Sequence, residues 1–534
     1  MPRSNNEKSE RSVGPWSPLR IPIFRNLLIA DLVSDIGSFM QTVGAAWLMT
    51  SLTTSTTYVA LIQTASALPF FLLALPAGSI GDIFDRRKLI LGTEIWMAAV
   101  GILLAVAAIA HVMTPWLLLL LTLGLALGDA VEAPAWRAIF PDLVPKEVLP
   151  PALALNGIEF NLARAIGPGL AGLIIAVSGV GTAFVVNAVS FIGVIFVIAR
   201  WKRPARRGAL PAENIRGATM AALRYVRYSP SIRTLLVRSS CLIFFASAFW
   251  ALLPTIARDL SKNSIGFGLL LAFFGLGAVL GAVALQRARS FLSLENLLSV
   301  ATAIFAAAVL STGLLKSLAV LCVLMLFGGA AWIAFMALFN SAIQDLAPDW
   351  VRARVMAVYL FTYQGSIAVG SAIWGYAAEH SSAQRTMLIS SVGIAACWLL
   401  RFPFPLPRTA LDLTNWNHWG KPAIFAEPPP DQGPIMVTVE YTIDPKTAPQ
   451  FLEAIYKYQR IRRRDGATRW GVFYDSERPH RYLESFLVDS WAEHQRQHDR
   501  FTRADREFEE RVTKFSVQPA KIRHFIYATK PASH

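Results

Sequence analysis

From Ile36 to Gly81 the chain runs 46 residues without a Lys, Arg, Asp or Glu. No soluble fold tolerates that. A stretch of this length can only be buried on all sides or immersed in lipid, and a bilayer-crossing helix needs about 20 mostly apolar residues. The run is therefore too long for one helix and reads as two, joined by an uncharged turn. The stretches 95–128 and 165–199 repeat the pattern. Marking apolar runs along the chain gives spans at about 27–50, 58–80, 89–111, 116–138, 155–177, 181–200, 236–257, 264–286, 296–315, 318–342, 354–378 and 384–400, twelve in all.

Composition agrees. Only 16% of the 534 residues are charged and 54% are hydrophobic, against about 25% charged in a soluble domain. The net charge of +15 would suit nucleic acid if it formed a patch on a soluble face. It sits instead in short clusters beside apolar runs, so no nucleic-acid partner is expected. Cys241, Cys322 and Cys397 all lie within apolar segments, which is neither a disulfide framework nor a metal spacing. The polar, basic N-terminus does not read as a signal peptide.

Lys and Arg set the orientation. One set of loops carries Arg86, Arg87 and Lys88, then Lys146, Arg287 and Arg289, then Arg352 and Arg354, and the connection 201–235 adds Lys202, Arg203, Arg206, Arg207, Arg216, Arg224 and Arg227 among others. The opposite loops carry none in the first half and only Arg258, Lys262, Lys316 and Arg385 in the second. The positive-inside rule then puts both termini in the cytoplasm, in a multi-pass protein of the cytoplasmic membrane. The organisation expected is a tail 1–26, a six-helix bundle 27–200, a cytoplasmic loop 201–235 and a second bundle 236–400. A Pro-rich linker 401–434 and a soluble domain 435–530 follow. Shifting the sequence by 203 residues brings Gly78 onto Gly281, Gly167 onto Gly370, Gly172 onto Gly375 and Arg86 onto Arg289. Two six-helix parallel repeats around a central site is a transporter plan.

In the tail, Ile435, Val437, Val439 and Tyr441 alternate on one face, as in a half-buried strand. A helix over 446–463 follows, then strands at 468–474 and 481–488, one long charged helix capped by Ser490, and a last strand near 521–527. That β-α-β-β-α-β order is a ferredoxin-like arrangement. The fold class expected is thus an all-α membrane protein with a C-terminal soluble α+β ferredoxin-like domain.

The stretch "GSIGDIFDRRK" (78–88) resembles the loop 2–3 signature of the Major Facilitator Superfamily through Gly78, Gly81, Asp82, Arg86 and Arg87. Ile83 and Asp85 depart from the pattern, standing where Arg and Gly are usual, and nothing in the sequence explains Asp85. "ARAIGPGLAG" (163–172) partly resembles the fifth-span signature of drug/proton antiporters. "GSFMQTVGAAWL", "FNLARAIGP" and the tail "RRRDGATRWG…SWAEHQRQHDR" resemble the transmembrane secretion effector branch, which includes enterobactin-exporter-like proteins. The tail also resembles the dimeric α+β barrel domains of antibiotic-biosynthesis monooxygenases. The resemblance implies a secondary transporter that exports a small molecule, such as a siderophore or an antibiotic, by alternating access and proton antiport. It is not an enzyme, needs no cofactor, and carries a tail that docks or forms a homodimer. The alternative is a membrane-tethered enzyme with an oxygenase-like tail.

Ionisable groups within spans are costly and face a cavity or a partner. Asp31 and Asp35 stand one turn apart on the first span, with Asp35 roughly 12–14 Å from the cytoplasmic edge. Asp35 is the leading candidate for coupling proton entry to export; the bland alternative is a structural ion pair. Arg164 in the fifth span needs an acid or an anionic substrate, and Asp35, Glu94, Asp129 and Glu132 are the acids available. Gly167, Pro168, Gly169 and Gly172 form a small-residue stripe suited to close helix packing or a kink. Gln41, Gln63, Asn161, Asn340 and Gln364 are candidate cavity-lining groups, and Trp47, Trp250 and Trp332 candidate contacts for an amphipathic substrate. Asp82, by the resemblance, latches the halves at the cytoplasmic mouth, against Arg137 or the N-terminus of span eleven. His494 and His498 are four apart on a helix, but the H-E-x-x-H pattern is absent and no third ligand is apparent, so no metal is expected.

Overall fold

Capping side chains start five of the spans. Asp85, Thr114, Asn263, Ser293 and Ser382 each accept a hydrogen bond from a backbone N–H of the first turn that follows, where no intrahelical partner exists. Asp85 thereby finds its role: its Oδ1 accepts from Lys88 N at 3.1 Å.

A computed structural model describes residues 14–73, 85–201, 215–261, 263–406, 412–416 and 428–528. Among these residues, twelve helices are long and apolar enough to cross a membrane. They are α1 (Pro22–Leu52), α2 (Thr56–Leu73), α3 (Arg86–Ile109), α4 (Pro115–Leu143), α5 (Leu149–Ser178) and α6 (Val180–Arg200), then α8 (Pro230–Leu260), α9 (Ser264–Ala288), α10 (Leu294–Leu314), α11 (Leu318–Leu346), α12 (Asp349–His380) and α13 (Ala383–Ala396), the last extended by a 3-10 turn to Arg401. Between α6 and α8 the basic connection forms a further amphipathic helix, α7 (Ile215–Tyr228). Leu103, Leu120, Val189 and Val283 are each more than half exposed on the outer faces of their helices. Only a lipid surround accounts for such positions.

The described residues fall into two compact units, divided at 209/210, 237/238, 338/339, 359/360 and 403/404. In the first, α1 packs on α5 and α6, α3 on α4 and α6, and α2 on α4. Among the described residues, two close crossings join the two sets of six helices. At one, α5 lies on α9, where a Cβ on Gly172 would come within 2.7 Å of Gly268 Cα. Only small residues allow that approach. Pro168 lies inside α5, which remains unbroken. At the other, α2 meets α12: Thr64 Oγ1 donates to Ala368 O at 2.9 Å, and Glu379 accepts from Thr57 N (3.1 Å) and Ser55 Oγ (2.7 Å), capping α2 from the neighbouring helix.

The second unit holds α7, the adjoining ends of α11 and α12, and the tail. The tail comprises β1 (Ile435–Thr442), α14 (Ala448–Arg464), β2 (Thr468–Tyr474), β3 (Arg481–Val488), α15 (Trp491–Arg500), α16 (Arg503–Thr513) and β4 (Lys521–Ile526). The sheet order is β2-β3-β1-β4, with every pair antiparallel. Ile435, Val437, Val439 and Tyr441 are buried against Phe451, Ile455 and Tyr458 of α14.

Two tail expectations need correcting. The sheet is small and open, with β2 and β4 as free edges, so the tail is not a closed α+β barrel, and the resemblance to barrel domains fails. The single long helix is two: Phe501 enters the core, and Thr502 starts a new helix through a reciprocal capping box with Asp505. A capping box one residue past a buried aromatic overrides the continuous polar pattern.

Candidate functional site

Helical spacing explains how the acids converge. Asp31, Asp35, Ser38 and Thr42 recur at three- and four-residue intervals along α1, and Asp129, Glu132 and Trp136 along α4, so each set shares one face. These faces, with Glu94 of α3, Asn156 and Phe160 of α5, and Asn187 and Phe191 of α6, enclose a cavity of about 650 Å³. Arg137 is the one basic residue in its lining among the described residues.

Carboxyl groups crowd here. Single oxygens of Asp31, Asp35 and Glu159 all lie within 4.8 Å of one another. Glu132 accepts from Thr93 Oγ1 at 2.6 Å, and Glu159 from Asn156 Nδ2 at 3.4 Å. Glu94 pairs with Glu132 and Glu159 with Asp31, carboxyl to carboxyl, while the buried atoms Gln41 Nε2 and Thr122 Oγ1 have no hydrogen-bond partner among the described residues. Buried polar groups are normally paired with protein or with water.

Arg164 stands beside this group without an ion pair among the described residues. Its guanidinium lies 4.7 Å from the Phe160 ring centre and 5.9 Å from that of Phe39, and it interacts at longer range with Tyr363 and Asp35. Of the other expected polar residues, Gln41 lines the cavity, while Gln63, Asn161 and Gln364 do not. Asn161 instead bonds back to Gly157 O at 2.7 Å. Asn340, in the other unit, pairs with Gln344. Trp250 and Trp332 pack on each other and on Phe274 and Phe305, and Trp47 stacks on Phe267. Gly167 packs against Phe39 of α1, and Gly169 and Gly172 against α9. Gly78, Gly81 and Asp82 lie outside the described residues. Arg86 donates to Ala138 O at 2.8 Å and pairs with Asp142 at 3.6 Å, and Arg87 donates to Ile198 O at 3.0 Å. Both tie the start of α3 to the ends of α4 and α6.

Two features escaped the sequence. Glu159 is an acid within a span, five residues from Arg164, and the rule that picked out Asp35 applies to it equally. In the tail, His524 of β4 joins His494 and His498 of α15. The His494 and His498 Nε2 atoms are 3.3 Å apart, and the His494 and His524 rings 4.7 Å apart. Burial, reinforced by its two histidine neighbours, pushes His494 down to about 3 from its ordinary 6.5. Only strand pairing brings His524 there, across 26 residues of sequence from its nearest partner.

A family model described as "Transmembrane secretion effector" matches residues 13–532. The staphyloferrin A transporter of Staphylococcus aureus is 22% identical over 389 residues, covering 72% of this chain and 96% of that protein. The enterobactin exporter EntS of Salmonella typhi is 26% identical over 386 residues, covering 71% and 91%. Among solved structures, the nucleoside transporter NupG superposes with a TM-score of 0.61 at 11% identity, covering 72% of this chain and all of that one, which is a likeness of fold. With a family match running through spans and tail alike, the chain belongs to the transmembrane secretion effector family of the Major Facilitator Superfamily.

Proposed function

We propose that this protein is a secondary active exporter that moves a small molecule out of the cell in exchange for protons by alternating access. The observation that carries this is the cavity itself: about 650 Å³, within the membrane-spanning unit, lined by Asp31, Asp35, Glu94, Asp129 and Glu132. Acids inside a span are expensive to keep, and in transporters they serve proton relays. Asp35 is the coupling residue in this reading, supported by its place between the Asp31–Glu159 group and the field of Arg164. Relatives named for staphyloferrin A and enterobactin support a siderophore-like or antibiotic-like cargo. Proteoliposomes test the reading: an imposed pH gradient should drive uptake of a cargo into inside-out vesicles, and its collapse by an ionophore should stop it.

The glycines support a repeat of six plus six helices. Gly172 on α5 closes the crossing with α9, and Gly375, its match under the 203-residue shift, closes that of α12 with α2 against Ala60. Gly167 packs on α1, and its match Gly370 packs on α8 against Ser247 and Phe244. Equivalent glycines thus meet equivalent helices. Arg86 and Arg87 begin the third span and Arg287 and Arg289 end the eighth, loops that alternating crossings put on one side, which supports cytoplasmic termini, and the strand order β4-β1-β3-β2 supports a ferredoxin-like tail. Asp82 remains the gate candidate by its motif. Exposed Phe473 and Tyr474 on the edge strand β2 support self-association of the tail, which light scattering on the purified protein measures.

A further inference from the structure

The tail has a pocket of its own, between α14, α15 and the inner face of the sheet, with Tyr458, Arg462, His494, His498 and His524 in its wall. Its volume is about 30 Å³. One water needs about 10–15 Å³, so this is room for an ion and a water rather than for an organic ligand. Local rules bring the imidazoles here. His494 and His498 stand one turn apart on one face of α15, the helix that Ser490 caps. Side chains of a strand alternate between faces, and His524, opposite Val437 of β1, takes the buried one. The sequence offered a pair of histidines without a third ligand; strand pairing supplies the third ring.

The distances suit a metal. Two nitrogens that each stand about 2.0–2.1 Å from a tetrahedral ion are about 3.3 Å apart. The His494 and His498 Nε2 atoms are 3.3 Å apart, which is long for a hydrogen bond between two rings. The His494 ring centre lies 4.8 Å from that of His498 and 4.7 Å from that of His524. Burial holds all three rings in the neutral form, the form that binds a metal. Charges in the wall are already matched, Arg462 by Glu484 and Asp465 by Arg464. Tyr458 is fully buried, and its Oη has no hydrogen-bond partner among the described residues. Water in the fourth position of an ion would give it one.

We propose that the tail binds a divalent transition-metal ion through Nε2 of His494 and His498, with His524 turning its ring inward as third ligand and water as the fourth. Imidazole nitrogen suits zinc, nickel or copper, whereas magnesium and calcium take oxygen. Asp31, Asp35 and Glu159 are the group of three whose ligand atoms already lie within 4.8 Å of one another. The histidines reach that closeness once His524 turns, and its place on an edge strand leaves it free to do so. The ion ties α15 to β4. Since α15 also carries Glu493, which holds Arg224 of α7 at 3.0 Å, the metal firms the seat of α7 on the tail. The site is independent of what the spans export.

Equilibrium dialysis of Zn2+ against the purified full chain, free of any histidine tag, tests this. Zn2+ should bind saturably, and a large excess of Mg2+ or Ca2+ should not displace it. His494→Gln, His498→Gln and His524→Gln should each weaken binding about tenfold or more. Bound Zn2+ should slow hydrogen exchange of the α15 and β4 amides in wild type and not in His524→Gln. Absence of saturable binding to wild type overturns the proposal. So does binding that survives unchanged in His524→Gln, since only the helical pair would then be engaged. Binding that Glu159→Gln abolishes would put the ion on the acids of α1 and α5 and overturns it too. The comparison of Zn2+ with Mg2+ and Ca2+ on wild type stands even where a variant fails to fold, and equal affinity for all of them sinks the idea.

Discussion

The protein buries acidic groups in two places and treats them in opposite ways. In the tail unit each buried acid has a guanidinium. Glu484, wholly buried, accepts from Arg462 Nε (3.2 Å), Trp470 Nε1 (2.8 Å) and Tyr441 Oη (3.1 Å). Arg464 grips Asp465 and Asp505 with two hydrogen bonds each, at 2.7 to 3.0 Å. Glu493 holds Arg500 at 2.6 Å and Arg224 of α7 at 3.0 Å. In the membrane cavity, acids outnumber bases and face one another rather than guanidinium groups. A buried charge kept for structure is matched where it sits, because an unmatched one is costly. Under the proposed exchange with protons, the surplus across the cavity serves a partner that comes and goes.

The sharpest way to break that contrast is to remove a tail partner. Arg464→Ala strands two buried carboxylates and should cost about 3–5 kcal/mol locally. Hydrogen exchange of the β1 and β3 amides in the intact protein would report it as lost protection. A loss below about 1 kcal/mol would mean that the network is solvated in practice, since exposed pairs contribute only that much, and the contrast with the cavity would vanish.

Protons offer a second, smaller test in the tail. His494, pushed down to about 3 by burial, stays neutral in the folded tail at pH values where the unfolded chain, at 6.5, takes a proton. Its burial therefore costs nothing above pH 6.5 and destabilises progressively as pH falls toward 3. Between pH 6.5 and 5 that is about 2 kcal/mol. Burial pushes Asp465 up to about 6 despite Arg464. That acts the other way, since below pH 6 the folded tail binds a proton that the unfolded chain releases until 3.8. The difference between wild type and His494→Gln isolates the histidine: protection of β4 amides should fall less steeply with pH in the variant. Identical slopes would show that His494 is solvated.

Much of this was legible in the sequence. Three charge-free runs of 34 residues and more mark the six spans of the first half, and shorter apolar runs between charges mark the six of the second, because lipid leaves a chain few alternatives. The β1 alternation read true for Ile435, Val437, Val439 and Tyr441, since a two-residue period is local. The break at Phe501–Thr502 was hidden, because Thr502 becomes a cap only once Phe501 is committed to the core. Acids of one span were visible singly. That Asp31 and Asp35 meet Glu159, 124 residues beyond Asp35, depends on the packing of α1 against α5. The same holds for His524. Asp85 looked like an error in a motif because a capping role appears only with the helix it starts.

The smallest expected effect on stability comes from the cavity. Asp35→Asn removes one acid from a crowded group in which acids outnumber bases, and the amide nearly matches the carboxyl in shape. Relief of repulsion from Asp31 and Glu159 offsets the weakened attraction to Arg164, so stability should change by less than about 1 kcal/mol, within the range of substitutions that break no paired network. Transport is a different matter. If Asp35 carries the coupled proton, Asn holds none, and proton-driven efflux in vesicles should be lost while the melting temperature stays within a few degrees of wild type. Loss of stability comparable to Arg464→Ala, with efflux intact, would make Asp35 a structural residue like those of the tail. Lost efflux in a stable protein would fix the meaning of the surplus acids: the fold does without the charge, and the transport cycle does not.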